Sequence, residues 1–390
     1  MSRSYLDYYE SKNIIPVSQS FNNTHRERRL ALYKMLSITP LTFKNSNVLE
    51  IGPGTGDNAR VISELNPRKI TLLDGSLPSI EELRRKENKK EFCCPIEIIY
   101  SDLYQFKTKD KFDIIICEGC SAQSNPREFY NLIFNIPTNN YAIYSLSTAD
   151  YFSVLPELLR MHWFALIKDL NNFEDQIKLG VNLFEMDFKC LSSSSRSCSD
   201  WVKDNILHPR PLNWSFSIAN LLDFIIDSKD NLSYLSSSPI FLTNWDWYKS
   251  QLYSSNANNL KAIKLWNYLS IYTIDYRIPF ELDNYCKTIT KEDLNILNKN
   301  FLNISKNTTD IYNNLDQKEI VKKISSTIEN LKESKMILEK FTQFNKTVKS
   351  MNDAISDLKN LKSGKTVREK NEFSYWWGRG QQYISLVNKF

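Results

Sequence analysis

The sequence predicts an α/β fold: an open parallel sheet with helices on both faces, an inserted cap and a long α-helical C-terminal region. Three observations support this prediction. Apolar runs alternate with helical patterns from residue 46 to residue 150, as in parallel sheets that are buried on both faces. A glycine-rich turn follows the first run, at residues 52–56. All thirteen prolines lie at or before Pro279 and no glycine interrupts residues 181–363, which favours uninterrupted helices near the C-terminus.

Composition narrows the class of protein. The chain has 390 residues, 42% of them hydrophobic, enough for more than one packed core. Its net charge of +5 is small, and the densest charge clusters, at residues 26–29 and 86–90, are interpreted as solvated helix faces, so nucleic acid is not an expected partner. The N-terminus has no apolar signal segment, and no window reaches the roughly 18 apolar residues of a membrane span. These features predict a cytoplasmic protein without membrane insertion.

The glycine-rich turn is typical of a nucleotide-cofactor loop. Glycine adopts positive φ readily and lets the backbone approach a ligand that a Cβ atom would exclude. A dinucleotide-binding turn would have its third glycine one residue later than this chain does. We therefore expect a helix over residues 57–65 whose free N–H groups face a ligand other than a pyrophosphate. The turn and the strand before it carry the pattern E-x-G-x-G-x-G, formed by Glu50, Gly52, Gly54 and Gly56.

Three later segments end in polar residues where the same sheet would place them together. A second apolar strand, at residues 69–76, contains Asp74, eighteen residues after Gly56, a distance typical of a carboxylate that binds ribose hydroxyls. Two more strands are predicted at residues 96–103 and 112–119. Because ligands of open α/β sheets bind at the carboxyl ends of the strands, we expect these ends to form one site.

These segments resemble the class I S-adenosylmethionine-dependent methyltransferases over about residues 20–150. The resemblance implies a Rossmann-like methyltransferase sheet with S-adenosylmethionine as its cofactor. It also implies that an acid such as Asp102 recognises the adenine amino group, and that the end of the fourth strand faces the cofactor. The cofactor-binding residues expected on this basis are Glu50, Gly52, Gly54, Gly56, Asp74, Gly75, Ser101, Asp102, Leu103 and Cys117.

The N-terminal region extends the resemblance. Apolar spacing predicts a helix over residues 24–36, and related methyltransferases pack a leading helix over the cofactor. The aromatic segment before that helix can close as a lid, which makes Tyr8 and Tyr9 candidate substrate-binding residues. The chain is also similar to methyltransferases of bacterial surface-polysaccharide and lipopolysaccharide biosynthesis in three segments, at residues 8–17, 25–29 and 231–249. That similarity implies a sugar or sugar-nucleotide acceptor.

The expected methyl transfer requires the protein mainly to align the acceptor with the methyl group of the cofactor. The sulfonium methyl group is already electrophilic, so the acceptor must be held in line and water excluded, and a hydroxyl acceptor also needs a general base. Glu118, directly after the fourth strand, is the first candidate base; His25 and His208 are alternatives because histidine titrates near neutrality. His162 and Trp163 are candidate substrate contacts within the predicted cap. Residues 117–120 differ from the Asn/Asp-Pro-Pro-aromatic motif, which disfavours methylation of adenine or cytosine amines.

The chain is predicted to contain five regions. Apolar positions between residues 321 and 358 step mostly by three and four, as in a packed helix. A single helix over residues 318–362 would reach about 68 Å, too long for a compact domain. We favour a helical hairpin or bundle, with a coiled coil between two copies as the alternative. The regions are an N-terminal lid and helix at 1–45, the cofactor-binding core at 46–150, a substrate cap at 151–232, final core elements at 233–254, and an α-helical domain at 255–390.

Two other functions stay open from the sequence. A nucleic-acid or protein methyltransferase would use the lysine-bearing C-terminal helices to grip a macromolecule, which predicts salt-dependent binding to RNA or DNA. A non-catalytic scaffold would keep the cofactor fold while its helices assemble a partner enzyme. The preferred hypothesis is a methyltransferase for a small polar acceptor, expected to be a carbohydrate, that is methylated at oxygen or nitrogen.

Overall fold

The fold is described from a computed structural model. It describes residues 4–12, 14, 22–119, 125–150, 155–166, 170, 172–191, 196–208, 215–228, 231–242, 249, 255–275, 278, 289–313, 316–363 and 381–389. The chain divides into two compact units. We call residues 1–149, 209–267 and 381–390 the sheet unit, and residues 150–208 and 268–380 the helical unit.

The described strands of the sheet unit form one seven-stranded sheet with the order β3-β2-β1-β4-β5-β7-β6. Neighbouring strands from β3 across to β5 are parallel, whereas β7 is antiparallel to both β5 and β6. The four strands predicted before the glycine-rich turn and at residues 69–76, 96–103 and 112–119 are confirmed as β1 to β4. The strands are β1 (Asn47–Ile51), β2 (Lys69–Asp74), β3 (Ile96–Tyr100), β4 (Phe112–Cys117), β5 (Thr138–Ala149), β6 (Leu232–Ser238) and β7 (Gln381–Asn388).

Helices connect these strands and make up most of the helical unit. The helix predicted over residues 24–36 is confirmed as α2, and the side chain of Asn22 caps it by accepting the backbone N–H of His25 at 2.9 Å. The described helices are α1 (Ser4–Ser11), α2 (Asn23–Met35), α3 (Pro40–Phe43), α4 (Asp57–Ser63), α5 (Leu77–Asn88), α6 (Pro126–Phe134), α7 (Leu155–Leu166), α8 (Phe173–Lys189), α9 (Cys198–Val202), α10 (Ile218–Ser228), α11 (Ser255–Leu269), α12 (Lys291–Asn313), α13 (Gln317–Leu338) and α14 (Asn345–Lys362).

One apolar core fixes the helices α2, α4 and α5 against a face of the sheet. Its members come from these helices, from the loop after α2 and from β1, β2 and β4, and burying each large aliphatic side chain contributes about 1.5–3 kcal/mol. The strand ends that carry the predicted site are thereby held in register. The buried residues of this core include Tyr33, Leu36, Ile38, Phe43, Val48, Ala59, Ile62, Ile70, Leu72, Ile80, Leu83, Ile114 and Ile116.

The last strand of the sheet corrects two predictions. Residues 255–390 were expected to be helical, but β7 (Gln381–Asn388) pairs along β5, from Ala149↔Gln381 to Ile143↔Val387. Of the final core elements expected at residues 233–254, the described residues contribute β6, and residues 243–248 and 250–254 lie outside the described part. The two units also divide the chain at other points than the predicted cap boundary at residue 232. The reason is that β7 pairs with strands far away in sequence, which local periodicity does not reveal.

Helix α13 packs against both α12 and α14 of the same chain; the coiled coil between two copies stays an open alternative. The long apolar stripe does not run along a single helix. It is interrupted where Phe341 takes an extended conformation (φ −128°, ψ 116°) and a 3₁₀ turn, Thr342–Phe344, leads into α14. Helices α12 and α13 are joined by buried amides: Asn300 Nδ2 donates to Ser334 Oγ at 3.2 Å, and Asn307 Nδ2 donates to Thr327 Oγ1 at 3.1 Å. Such polar pairs fix the register of two packed helices.

Within the described ranges, no helix combines the length and the apolar character that crossing a bilayer requires.

Candidate functional site

The predicted site residues of the sheet unit lie at one edge of the sheet. The strand order places the carboxyl ends of β3, β2, β1 and β4 side by side. The four segments that were predicted from separate parts of the sequence are therefore neighbours in space, as expected for a site at the carboxyl edge of an open α/β sheet.

The glycine loop after β1 has the left-handed backbone that its sequence predicts. Gly52, Gly54 and Gly56 have φ values of 67°, 56° and 74°. At Gly56, which precedes α4, an added Cβ atom would lie 2.5 Å from Leu83 Cδ2, so this glycine is needed for the packing of α4 against α5. Gly52 is exposed and Gly54 is buried, with its N–H directed at the next strand. The loop thus presents backbone rather than side chains at the sheet edge.

Asp74 ties the end of β2 to the glycine loop. Its Oδ2 atom accepts the N–H of Gly54 at 3.1 Å, and its Oδ1 atom accepts the N–H of Ser76 at 2.8 Å. Burial raises the pKa of Asp74 to about 6, and the two N–H donors oppose that rise. The carboxylate faces the site rather than solvent.

The residues after β3 form a tight turn next to Asp74. The N–H of Ser101 donates to the carbonyl of Asp74 at 3.0 Å, which positions the chain beside β2. Asp102 Oδ1 accepts the N–H of Tyr104 at 3.1 Å, and Leu103 is buried. Gly75 sits against the N-terminal helix, because an added Cβ atom would lie 2.8 Å from Leu6 Cδ1.

The end of β4 carries a buried ion pair. Cys117 is buried, and the next side chain, Glu118, pairs with Arg29 of α2. The hydroxyl of Ser145 on β5 donates to the other carboxylate oxygen of Glu118. The side chains of Glu118 and Arg29 are only 2% and 11% exposed. Both oxygens of the first candidate base are therefore already engaged by hydrogen-bond donors.

Glu50 lies on β1 beside this pair. It is 3% exposed, and within the part of the chain that the structure describes its Oε2 atom has no hydrogen-bond partner. Burial raises the pKa of Glu50 to about 8; Arg29 opposes this rise, and Glu118 adds to it. A buried carboxyl oxygen without a donor is costly and marks a place where a ligand can supply one.

His25 lies on the same helix as Arg29 and next to the start of α4. It is 6% exposed, and burial together with the charge of Arg29 lowers its pKa below 6.5, while the backbone of Asp57 acts in the opposite direction. Asp57 is itself buried, accepting the Thr55 hydroxyl at 2.8 Å and Lys86 Nζ at 2.5 Å. A neutral imidazole at pH 7 has the protonation state that a general base needs.

Each of the two charge clusters contains one residue that is not solvated. Residues 26–28 and 87–90 are exposed, as expected, whereas the side chains of Arg29 and Lys86 are only 11% and 6% exposed and form buried ion pairs. Sequence reasoning also missed Ser145, which bonds to Glu118. The partners of Arg29 and Lys86 are 89 and 29 residues away, so no local pattern indicates these ion pairs. The one available signal was that each cluster falls on a helix with an apolar face.

The remaining predicted residues lie elsewhere. Tyr8 and Tyr9 are on α1 in the sheet unit, where Tyr9 is buried and their rings meet edge to face at 5.6 Å. His162, Trp163 and His208 belong to the helical unit and are each 3% exposed. His162 Nδ1 donates to the carbonyl of Leu158 at 2.9 Å, and Trp163 Nε1 donates to the carbonyl of Gln176 at 3.4 Å. Their roles in substrate binding stay predictions.

The edge of the sheet fits a cationic nucleoside ligand. Positive-φ glycines expose backbone, a carboxylate stands at the end of β2, and the buried Oε2 atom of Glu50 needs a hydrogen-bond donor. Among the described residues, no group of three or more histidine, cysteine or acidic side chains is placed to hold a metal ion.

The chain is similar to known proteins in part of its length. Residues 48–136 match a family model described as a methyltransferase domain. The N-methyltransferase NodS from Bradyrhizobium japonicum, in complex with S-adenosyl-L-homocysteine, is 19% identical over 38% of this chain and 74% of that chain, with a TM-score of 0.30. PKMT2 from Rickettsia typhi, in complex with AdoHcy, is 15% identical over 64% of this chain and 49% of that chain, with a TM-score of 0.40. No curated protein matches the chain.

The matched segment contains the structural parts that build the site. Residues 48–136 include the glycine loop, Asp74, the turn after β3 and Glu118. Residues 48–136 of the chain therefore carry a methyltransferase domain.

Proposed function

We propose that the chain transfers the methyl group of S-adenosylmethionine to a small polar acceptor, a sugar or sugar nucleotide, at a hydroxyl or an amine. The observation that carries the methyl-transfer part is the meeting of the glycine loop, Asp74 and Glu118 at one sheet edge. The sugar part rests on the similarity of three sequence segments to methyltransferases of surface-polysaccharide biosynthesis.

Each predicted cofactor residue has a distinct task in this proposal. Asp74 would accept the ribose hydroxyls, the loop from Gly52 to Gly54 would admit the methionine end, and the turn at Asp102 would meet the adenine. When bound, the cofactor supplies an electrophilic methyl group with a neutral leaving group. The residues of the chain then have to orient the acceptor, exclude water and accept a proton.

The two candidate general bases in the sheet unit differ in how easily they can accept a proton. Glu118 is held by Arg29 and Ser145, so proton transfer to it would weaken an ion pair and a hydrogen bond. The depressed pKa of His25 keeps its imidazole neutral at pH 7. We propose that His25 is the better base and that Glu118 orients neighbouring groups; His208, in the helical unit, stays a candidate from the sequence.

The charge pattern of the C-terminal helices supports a small acceptor over a nucleic acid. Some of their lysines pair with acids, such as Lys323 with Asp310 and Lys340 with Asp293. Nucleic-acid binding depends on lysines and arginines that are free to neutralise phosphates. The paired lysines are not free to neutralise phosphates.

Calorimetry tests the cofactor half of the proposal. Wild-type protein should bind S-adenosylmethionine and its demethylated product with micromolar affinity, and no binding at millimolar concentration would overturn the proposal. The acceptor half needs a separate assay. Labelled S-adenosylmethionine is incubated with sugar nucleotides, free sugars, RNA and protein fractions, and label in the RNA or protein fraction alone would contradict a carbohydrate acceptor.

A further inference from the structure

A group of buried charges on the α2 side of the sheet includes a residue, Arg29, that was not among the predicted site residues. Arg29 pairs with Glu118, and Ser145 donates to the same carboxylate. The guanidinium also lies 5.8 Å from the ring centre of Tyr33, on the next turn of α2. Arg29 is thus fixed on two sides and has little freedom to move away from the carboxyl edge.

Glu50 faces the same guanidinium from β1. It is the acid whose pKa burial raises to about 8, and its Oε2 atom lacks a hydrogen-bond donor among the described residues. The charge of Arg29 is the largest influence opposing that rise. Without a ligand, Glu50 is therefore mostly protonated at pH 7.

The other titratable groups around Glu50 determine the pH range in which its titration can be measured separately. Asp57 is neutralised by Lys86 at 2.5 Å, and Glu118 is neutralised by Arg29. Asp74 titrates near pH 6, and His25 titrates below 6.5. Between about pH 6.5 and pH 8.5 Glu50 is the acid that changes charge. The charged or titratable groups that face it are Arg29 and Tyr33 of α2, Asp57 of α4, Asp74 of β2 and Glu118 after β4.

We propose that Arg29 is a positioning residue of the cofactor site: it holds Glu118 in place and allows Glu50 to ionise when the cationic cofactor binds, so that binding releases the Glu50 proton to solvent. This inference rests on the proposed function, since it requires that S-adenosylmethionine binds at this edge. S-adenosylmethionine carries one net positive charge, and an ionised Glu50 would balance that charge in a buried site. The Oε2 atom of Glu50, which has no hydrogen-bond partner among the described residues, would carry the negative charge that balances the cofactor.

The direction of the pH effect follows from which form of Glu50 binds the cofactor. If only the ionised form binds, the apparent affinity is reduced by the ionised fraction, so it should fall about tenfold for each pH unit below the pKa of Glu50. The affinity should level off above that pKa. Removing Arg29 should shift the midpoint upward by about one to three pH units, the usual effect of one nearby opposite charge on a carboxyl group.

Calorimetry between pH 6.5 and pH 8.5, in phosphate and in Tris, measures both the affinity for S-adenosylmethionine and the protons released. Wild-type protein should release nearly one proton at pH 7, on the order of 0.9 for a group with this pKa. Glu50→Gln should release none and bind with a flat pH profile over this range. Arg29→Gln should move the midpoint above pH 8.5, so that its affinity still rises about tenfold per pH unit at the end of this range, and Arg29→Lys should move the midpoint back toward the wild-type value.

Arg26→Gln is the matched control, because Arg26 is on the same helix and pairs with Glu64 at the surface, with 47% of its side chain exposed. Its midpoint should equal that of the wild type. A flat wild-type profile without proton release, or an unchanged midpoint in Arg29→Gln, would overturn the inference while leaving the proposed function intact. Absence of cofactor binding at every pH would instead sink the proposed function.

Discussion

The two edges of the sheet use the same kinds of residue for opposite purposes. At the amino edge, Asp113 accepts the N–H of Asn47 at 2.8 Å and Nδ2 of Asn139 at 2.7 Å, next to a shallow cavity of about 390 Å³. At the carboxyl edge, Asp74 accepts two backbone N–H groups in a similar way. Both carboxylates have partners for both oxygens, and the difference is burial: Asp74 is 7% exposed, whereas Asp113 is half-buried.

This contrast teaches that a cavity alone does not locate function. The cavity at the amino edge is lined by exposed groups such as Lys44, Arg68 and Tyr141, which water can solvate. The carboxyl edge keeps a carboxyl group with a strongly raised pKa in a buried position, at a cost in folding free energy. Proteins keep such costly groups where a ligand or a reaction uses them.

The largest effect is expected from closing the glycine loop. Gly54→Asp places a side chain and a second carboxylate beside Asp74, on a buried residue with φ 56°. Binding of S-adenosylmethionine should fall more than about 100-fold, equivalent to roughly 2.7 kcal/mol. Calorimetry measures the loss, and circular dichroism checks that the variant is folded. Asn45→Asp, at a positive-φ position of the amino edge (φ 59°), is the control and should bind normally.

The carboxyl edge could be predicted in part from the sequence, because the patterns that indicate it lie within short segments of the chain. Strands buried on both faces appear as continuous apolar runs, and positive-φ turns require glycine, so β1 to β4 and residues 52–56 were recognisable. The Arg29–Glu118 pair and β7 were not, because each depends on a partner distant in sequence. The missing hydrogen-bond partner of Glu50 Oε2 could not be predicted for a further reason. Whether a buried oxygen has a donor depends on which groups the whole fold places beside it.

A smaller loss of affinity is expected from Asp74→Ala. The substitution leaves the N–H groups of Gly54 and Ser76 without their acceptor and removes the predicted ribose ligand, so binding should weaken about 10- to 100-fold. Asp113→Ala is its counterpart at the amino edge, with a similar pair of donors. If both variants lose cofactor affinity equally, the functional difference between the edges is refuted.

Glu50→Gln should change stability with a recognisable pH dependence. The folded-state pKa of Glu50, about 8, lies above its ordinary value of 4.5, so between these values the folded state binds more protons than the unfolded state. Wild-type stability from this group is then fully present below pH 4.5 and is lost as pH rises toward 8, by on the order of 1 kcal/mol per pH unit. Urea unfolding at pH 6, 7 and 8 should show this decline in the wild type and a flatter profile in Glu50→Gln. A wild type whose stability rises over this range would contradict the assignment.

The smallest effect is expected at the amino edge. Asn139→Ala removes one donor to Asp113, which keeps the N–H of Asn47, and both side chains are only partly buried. The free energy of unfolding should fall by about 0.5–1.5 kcal/mol, the usual net value of one hydrogen bond, with cofactor affinity unchanged. Urea unfolding and calorimetry on the same preparation measure both quantities. Weakened cofactor binding in this variant would mean that the two edges are coupled through β4, because Asp113 and Glu118 stand at opposite ends of that strand.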